Sequence, residues 1–510
     1  MNSQNTSGSE GDLRVKKVDL NGRPFHFIGI GGIGMSALAY IVAKRRLPVS
    51  GSDLRTSHIT DRLEALGAKI FGRQVASNLA SFALPNTANA RSLSTMAVSN
   101  VETATNSVAT QVKNTVNNLP QVICSTAINS SNPEYQEAIK LGCPIFHRSD
   151  LLAALINEYS SIAVSGTHGK TTTSSAIAYV LLQAGLDPTI IIGGEVDAWS
   201  GNARAGESDY LVAEADESDG SLVKHFPAIG IITNIELDHP DRYQDLTEVI
   251  EIFQTFAEQC ETLIGCIDDP NIQQHLKPDI SYSLDPDSNA DYLAKNVNYH
   301  DQGTQADIWE RGEFLGTLNL QLLGTHNLSN ALSVIAAGRK IGLGFAEIAE
   351  GLASFTGTKR RFELRGEVNQ IRFIDDYAHH PKEIAVTLAA AKLRISQNLD
   401  TQRVVAVFQA HRYSRAQTFL EEFAAAFKDA DLVVVTDIYS AGEMNTTGIS
   451  GEQLASAIAE HHPQVFYHGD LATLPQYLRS QILQPGDLTM FLGAGNLNQT
   501  IPKTISLFGS

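Results

Sequence analysis

The run Gly166-Thr167-His168-Gly169-Lys170-Thr171-Thr172 carries the clearest chemistry in the chain. It follows the apolar stretch 160–165 (SSIAVS) and opens a helical pattern whose apolar face shows at Ile177, Val180 and Leu181 and runs out at Gly185, a residue type that ends helices. A glycine turn at a helix N-terminus aims backbone N–H groups and the positive end of the helix dipole at phosphate. In such a loop Lys170 would reach the terminal phosphates of a nucleotide and the Thr171 hydroxyl would ligate Mg²⁺. The full pattern places a further glycine five residues before Gly169, where this chain has Val164, so the loop is a shortened variant. An ordinary strand-to-helix turn is the plain alternative. Acids follow: Glu214, Asp216, Glu217 and Asp219 stand at the C-terminal end of a strand candidate, where α/β sheets bind ligands. Clustered carboxylates repel one another unless a cation or solvent separates them, so a Mg²⁺ site and a solvated acidic turn both fit. His239, at the end of TNIELDH, is a metal-ligand type, although Mg²⁺ prefers oxygen.

A second glycine loop, Gly29-Ile30-Gly31-Gly32-Ile33-Gly34, continues into Met35 and Ser36, and Asp53 lies 19 residues beyond Gly34. Glycines cradling a pyrophosphate and an acid taking a ribose hydroxyl make the dinucleotide fingerprint. Read alone, it describes an NAD-dependent oxidoreductase. A UDP-sugar also offers a pyrophosphate and a ribose, and a dehydrogenase has no use for a second phosphate loop with its own acids.

The elements that must hold these residues read as three α/β series. Strand candidates at 25–30, 47–52 and 121–125 alternate with helices, which predicts a parallel, doubly wound sheet. A second series holds 160–165, 209–215 and 228–234; a third holds 371–375, 403–408, 432–437 and 488–492. Phe419, Phe423 and Phe427 mark a helix whose stripe reads as core packing. The expected division is a flexible tail at 1–20, a first domain at 21–157, a central domain at 158–359 and a C-terminal domain at 360–510. Within the first domain, Asn, Ser, Thr and Ala fill 26 of the 42 positions from 78 to 119, without an apolar stripe, and a disordered surface insert is expected there.

Composition narrows the class. A chain of 510 residues is too long for a single core. The net charge of -18 disfavours a general nucleic-acid binder, and no apolar run is long enough to span a membrane. The first residues lack the charged and apolar regions of a signal peptide. Four cysteines without CxxC spacing read as buried free thiols in a reducing, cytoplasmic setting.

Taken in order, HFIGIGGIGMSALA, SGSD, GTHGKTTT, EADESD, TNIELDH, GTHNLSNA, TGTKRRFE, DDYAHHP, QAHRYSR and GAGN resemble the Mur ligase family over nearly the whole chain, within it the branch that adds L-alanine to UDP-N-acetylmuramate. The resemblance implies a three-domain α/β fold: a Rossmann-like UDP-binding domain, a P-loop ATPase-like central domain and a Rossmann-like C-terminal domain. It implies that Gly29, Gly31, Gly32, Gly34, Met35, Ser36 and Asp53, with Ser125, hold the UDP-sugar. Gly166 through Thr172 would hold the ATP phosphates, Thr171 and Glu214 one Mg²⁺, and His239 a second. His326, Asn327 and Asn330 would meet the adenine; periodicity alone makes that stretch a helix start, with Asn327 as its N-cap. Arg361 and Asp375 would reach ATP, Tyr377 and His379 would frame the alanine, and Arg412 and Arg415 would meet anionic groups. His379 and His380 are neighbours in an extended segment and point apart, which argues against that pair as a metal site. Many Mur ligases carry a carbamylated lysine after their DH motif; here no lysine occurs between Asp238 and Lys277, so His239, water and substrate oxygens are expected to hold the second ion. Two departures stand out: the 78–119 segment, and Ala410 where many members have proline.

The implied reaction runs through an acyl phosphate with ATP and Mg²⁺, in a monomer or homodimer bound to neither nucleic acid nor membrane. The rivals are a recycling ligase that attaches a preformed peptide to the same acceptor, an NAD-dependent oxidoreductase, and a P-loop switch that would leave Gly29–Gly34 idle.

Overall fold

In a computed structural model that describes residues 17–55, 57–83, 119–240, 242–396 and 403–509, the chain divides between Leu155 and Ile156 into two units, close to the expected boundary at 157/158. The first unit is one parallel sheet. Its strands β1 (Phe25–Ile28), β2 (Val49–Ser52), β3 (Lys69–Phe71), β4 (Gln121–Cys124) and β5 (Ile145–His147) lie in the order β3-β2-β1-β4-β5. β1, β2 and β4 are buried at every residue, as strands covered on both faces must be. Helix Ile33–Lys44 begins inside the glycine loop, with Gly32 as its N-cap.

Two boundaries in this unit need correction. Residues 78–83 are not part of an insert: they complete the helix Ser77–Ala83, where Leu79 is fully buried and Asn78 donates to the buried Glu134. Leu119 packs in the same core. A helix this short has too few turns to display a stripe in sequence. Residues 84–118 lie outside the described residues. So do residues 1–16 of the expected tail, whereas Asp19 is tied to the start of β4, exchanging bonds of 2.6 and 2.8 Å with the Gln121 side chain.

The second unit holds two sheets. The larger comprises β6 (Ser160–Ser165), β7 (Thr189–Val196), β8 (Gly201–Arg204), β9 (Tyr210–Glu214), β10 (Ile229–Ile232), β11 (Thr262–Cys266), β12 (Ile280–Ser283), β13 (Tyr292–His300), β14 (Gly303–Glu310) and β15 (Glu313–Leu320). Their order is β15-β14-β13-β12-β11-β10-β6-β9-β7-β8. The antiparallel ribbon β13–β15 did not announce itself in the sequence, because only a minority of its residues are buried, which dilutes the apolar signal. The smaller sheet comprises β16 (Glu363–Val368), β17 (Ile371–Asp376), β18 (Arg403–Phe408), β19 (Leu432–Val435), β20 (Val465–Tyr467) and β21 (Asp487–Leu492), ordered β16-β17-β21-β18-β19-β20 and parallel except for β16. Phe419, Phe423 and Phe427 are core residues as expected, with the rings of Phe423 and Phe427 5.5 and 5.3 Å from that of Phe408 on β18. The expected single helix is two, Tyr413–Thr418 and Leu420–Ala425, interrupted at Phe419.

Candidate functional site

Strand order builds the phosphate loop's surroundings. β6 lies between β9 and β10, so the loop leaving its C-terminal end is flanked by the ends of both neighbours. Val164, where the longer loop pattern wants glycine, is simply a buried residue of β6 paired with Glu214. The turn starts at Gly166 (φ 130°), where a Cβ would stand 2.1 Å from Thr233 Oγ1, and closes at Gly169 (φ 85°), the N-cap of helix Lys170–Gln183. Residues after β10 clamp it: His168 N donates to Asn234 Oδ1 (2.8 Å), and Thr233 Oγ1 (2.6 Å) and Asn234 Nδ2 (3.1 Å) donate to the His168 carbonyl. The helix ends as read, with Gly185 left-handed just beyond its C-cap.

The acids meet the loop. Thr171 Oγ1 donates to Glu214 Oε1 at 3.1 Å, and Glu214 Oε2 accepts from Gly193 N at 2.7 Å. Lys170 Nζ folds back onto the carbonyls of Gly166 and Thr167 and onto both oxygens of Glu217 at 3.0 and 2.8 Å. Burial pushes the Glu217 carboxyl up to about 7 against the pull of Lys170; burial also opposes the Lys170 charge, but Glu217 and Asp216 raise its pKa above the ordinary lysine value. His239 adopts φ 56° and sets Nε2 3.9 Å from Glu217 and 3.7 Å from Asp238. Burial lowers its pKa, favouring the neutral ring a metal ligand requires.

A cavity of about 770 Å³ adjoins the loop. Of the residues expected to hold ATP, His168, Gly169, Thr172, His326, Asn327, Asn330 and Arg361 line it. Two expectations change. Asn327 is not an N-cap: helix Thr325–Lys340 is capped by Gly324, and Asn327 Nδ2 donates to the Leu323 carbonyl at 2.7 Å. Asp375 does not line the cavity; its carboxylate meets Arg360 and Arg365 (3.4 and 3.1 Å), while its neighbour Asp376 lines the cavity and accepts from Phe362 N at 2.7 Å. Adjacent strand residues face opposite ways, so a DD pair presents one carboxylate to each side. Burial lifts Asp376 to about 6 although Arg361 opposes it.

Residues of the C-terminal domain reach the same region through Glu383, in the first turn of helix Pro381–Ser396. Glu383 accepts from the backbone of His379 (3.0 Å) and His380 (3.2 Å), and lies 3.4 Å from His168 Nδ1 and 3.6 Å from Arg361. Burial would raise its carboxyl, but His379, His168 and Arg361 together hold it well below the usual range. His168 sits between Glu383 and Glu236; burial disfavours its charge, yet the two carboxylates lift it to about 9. His379, by contrast, is driven down to about 3 by burial, and its Nδ1 contacts the Tyr377 carbonyl at 3.0 Å. The Tyr377 ring stands edge-on to His379 and beneath the guanidinium groups of Arg360 and Arg361. Arg415, 2% exposed, binds Asp238 through Nε and Nη2 at 3.0 and 2.8 Å. Burial opposes the Asp238 charge, but Arg415 holds its carboxyl far below the ordinary range. Arg412 pairs with Glu443 at 3.1 Å.

In the first unit, the loop Gly29–Gly34 is built around Asp53. Its Oδ2 accepts from Gly31 N at 2.8 Å, so in this state the acid engages the loop itself. Gly32 and Gly34 continue into a helix where Met35 and Ser36 are buried, the Ser36 hydroxyl donating to the Ile33 carbonyl. Ser125 follows β4 and its carbonyl accepts from Ile128 N. Sequence reasoning placed Glu217 only within a cluster of four acids and assigned no role to Glu236, Asp238, Asp376 or Glu383. Glu383 looks like any helix-initiating acid, and the other four have meaning only through partners distant in the chain.

Residues 24–160 match the catalytic domain of the Mur ligase family, 164–338 the Mur ligase middle domain, and 360–495 the Mur ligase glutamate ligase domain. The chain is 61% identical to the UDP-N-acetylmuramate--L-alanine ligase of Gloeothece citriformis over 96% of this chain and 99% of that one. It is 62% identical to that of Nostoc punctiforme over 97% and 98%. Among solved structures, UDP-N-acetylmuramate-alanine ligase MurC from Thermotoga maritima superimposes with a TM-score of 0.75 at 27% identity, covering 96% of this chain and 99% of that chain. A murein peptide ligase from Psychrobacter arcticus shares the fold, with a TM-score of 0.65 at 22% identity over 96% and 99%.

Proposed function

The chain belongs to the Mur ligase family, and from that premise we propose that it joins L-alanine to the lactyl carboxylate of UDP-N-acetylmuramate in the cytoplasm, with ATP as phosphoryl donor. The observation that carries this reading is the convergence of the phosphate loop (His168, Gly169 and Thr172), of His326, Asn327 and Asn330, and of Arg361, Asp376 and Glu383 of the C-terminal domain around one cavity. The substrates come from the near-full-length likeness to the alanine ligases.

A carboxylate acylates poorly because oxide is a bad leaving group; phosphorylation replaces it with phosphate, which the amine then displaces. The N–H groups at the start of helix Lys170–Gln183 would hold the triphosphate, and Lys170 would leave Glu217 for the phosphate oxygens as charge gathers there. Thr171 and Glu214 offer hard oxygen donors 3.1 Å apart, which suits Mg²⁺, and neutral His239 would complete a second, weaker ion site. Bound Mg²⁺ would neutralise phosphate charge and align the reacting groups. Arg361 and Asp376 would bound the nucleotide from the C-terminal side. His379 directs Nδ1–H at the Tyr377 carbonyl, leaving Nε2 as an acceptor for the alanine ammonium. Arg415, fixed by Asp238, would face anionic substrate groups, with Arg412 beside it. The first unit's loop would grip the UDP moiety through Gly31–Gly34, Asp53 and Ser125.

Phosphate release with ATP, Mg²⁺ and UDP-N-acetylmuramate, comparing L-alanine, other amino acids and a tripeptide, tests this directly. L-Alanine should be the preferred amine. Turnover with tripeptide alone would assign the chain to the recycling ligases.

A further inference from the structure

Three donors converge beside the cavity, two of them, His168 and Glu236, in its lining. His168, Glu236 and His380 each place one ligand-type atom within 4.8 Å of the others. His168 Nε2 and Glu236 Oε2 are 3.4 Å apart, and the rings of His168 and His380 are 4.8 Å apart, centre to centre. All three terminal atoms, His168 Nε2, Glu236 Oε2 and His380 Nε2, are buried and complete no hydrogen bond among the described residues. His380 is only 5% exposed, so its unpartnered nitrogen is aimed into the cluster and away from water. Buried polar atoms are almost always satisfied; here His168 Nε2 and Glu236 Oε2 have only their mutual 3.4 Å ion pair, and His380 Nε2 beside them has no partner among the described residues, so the cluster calls for a ligand.

We propose that His168, Glu236 and His380 bind a divalent transition-metal ion, zinc above all, at a site separate from the Mg²⁺ position at Thr171 and Glu214. Two imidazoles and one carboxylate are the donor set of zinc, cobalt and nickel sites, and a poor set for Mg²⁺. Donors around a tetrahedral zinc stand about 3.4 Å apart, so the His168–Glu236 pair is already in register and the widest gap closes with a side-chain shift of about 1 Å. The surrounding contacts suit ligation as well. His168 Nδ1 faces Glu383 Oε1 at 3.4 Å, the carboxylate–histidine arrangement that orients a metal-bound ring. Lys382 holds the other oxygen of Glu236 at 2.6 Å, leaving Oε2 for the ion. His380 must present Nε2 as an acceptor, which requires Nδ1 to give up its weak 3.4 Å contact with Lys382 N. The cations nearest the site, Lys382 and Arg361, are each paired with a carboxylate, Glu236 and Glu383 respectively. Because His168 belongs to the phosphate loop and His380 to the C-terminal domain, a bound ion ties the two together. It therefore opposes any step in which they part, in contrast to the Mg²⁺ that the reaction uses.

Zinc binding to the full-length, nucleotide-free protein is measured by competition with a chromophoric chelator in millimolar Mg²⁺, with circular dichroism of each variant to verify its fold. Wild type should take up one ion per chain that Mg²⁺ does not displace. His380→Ala and Glu236→Gln should each weaken it at least tenfold, by analogy with losses at other metal sites, and either folded variant suffices as the test. His239→Ala should bind as wild type does. Cobalt in the same site should give visible d–d bands without a sulfur-to-cobalt band, which distinguishes these ligands from the four free cysteines. Unchanged affinity in a folded His380→Ala or Glu236→Gln protein, loss in His239→Ala, or a thiolate band would overturn the assignment.

Discussion

The two glycine loops of this chain share one local plan, a buried parallel strand, a glycine turn and a helix start, yet they are wired differently. The loop at Gly166–Thr172 is surrounded by charge: Lys170 on Glu217, Thr171 on Glu214, His168 between Glu236 and Glu383. The loop at Gly29–Gly34 has Asp53 on the Gly31 amide and the Arg148 guanidinium beside Gly34. A group that only has to be held needs shape and N–H donors. A group that gains charge during a reaction needs preorganised counter-charge in a dry setting. The contrast supports the proposed division, gripping by the first loop and phosphoryl chemistry at the second, although either one alone reads as a generic phosphate cradle.

The largest effect should come from deleting the charge that distinguishes them. Lys170→Ala is expected to lower turnover by about 10²–10³ or more, as for other preorganised transition-state groups. Circular dichroism should stay native, and near-normal turnover by the folded variant would erase the contrast. Next comes pH. The His168 imidazolium has a folded pKa raised from 6.5 to about 9, so its stabilisation is complete below 6.5 and is lost as pH rises through 9. At 1.36 kcal/mol per unit this is on the order of 3 kcal/mol. Denaturant unfolding in chelator-treated buffer should show stability falling across that window in wild type and a flatter curve in His168→Gln; parallel curves would remove His168 from the charge network.

A smaller effect is expected at the first loop. A side chain at Gly31 would meet the Asp53 carboxylate, since even a Cβ stands 2.9 Å from Oδ2. Gly31→Val should raise the UDP-sugar KM about tenfold or more by blocking backbone approach, with the ATP KM little changed. An equal rise in both would mean the two loops are not separate devices. The smallest expected effect is none: with no lysine between Asp238 and Lys277 to carbamylate, stripping bicarbonate from the buffer and restoring it should leave turnover unchanged. A bicarbonate requirement would show that the second loop's metal is held by a group other than His239.

Much of the scaffold was legible because central parallel strands are short runs rich in apolar and β-branched residues. SSIAVS, RVVAVF and FHFI could be read directly, and the glycines after two of them announced turns before helices. The ribbon β13–β15 was not, because alternating exposed residues weaken the same signal. Seven of the residues expected to hold ATP do share a cavity. Asp375 and Asp376 show where pattern fails: a motif names both acids, and only the pairing of β17 with its neighbours decides which one turns toward the cavity.

Local order in the chain determined residue types, the turns that demand glycine, and the helices those turns start, because these depend on contacts a few residues apart. What joins Lys170 to Glu217, His168 to Glu383, and Asp238 to Arg415 is decided by the fold, across separations of 47 residues for the first pair and 177 for the last. Those pairs set which histidine is charged and which is neutral. Burial and the nearest carboxylate shift a pKa by several units, and no spacing in the sequence encodes either.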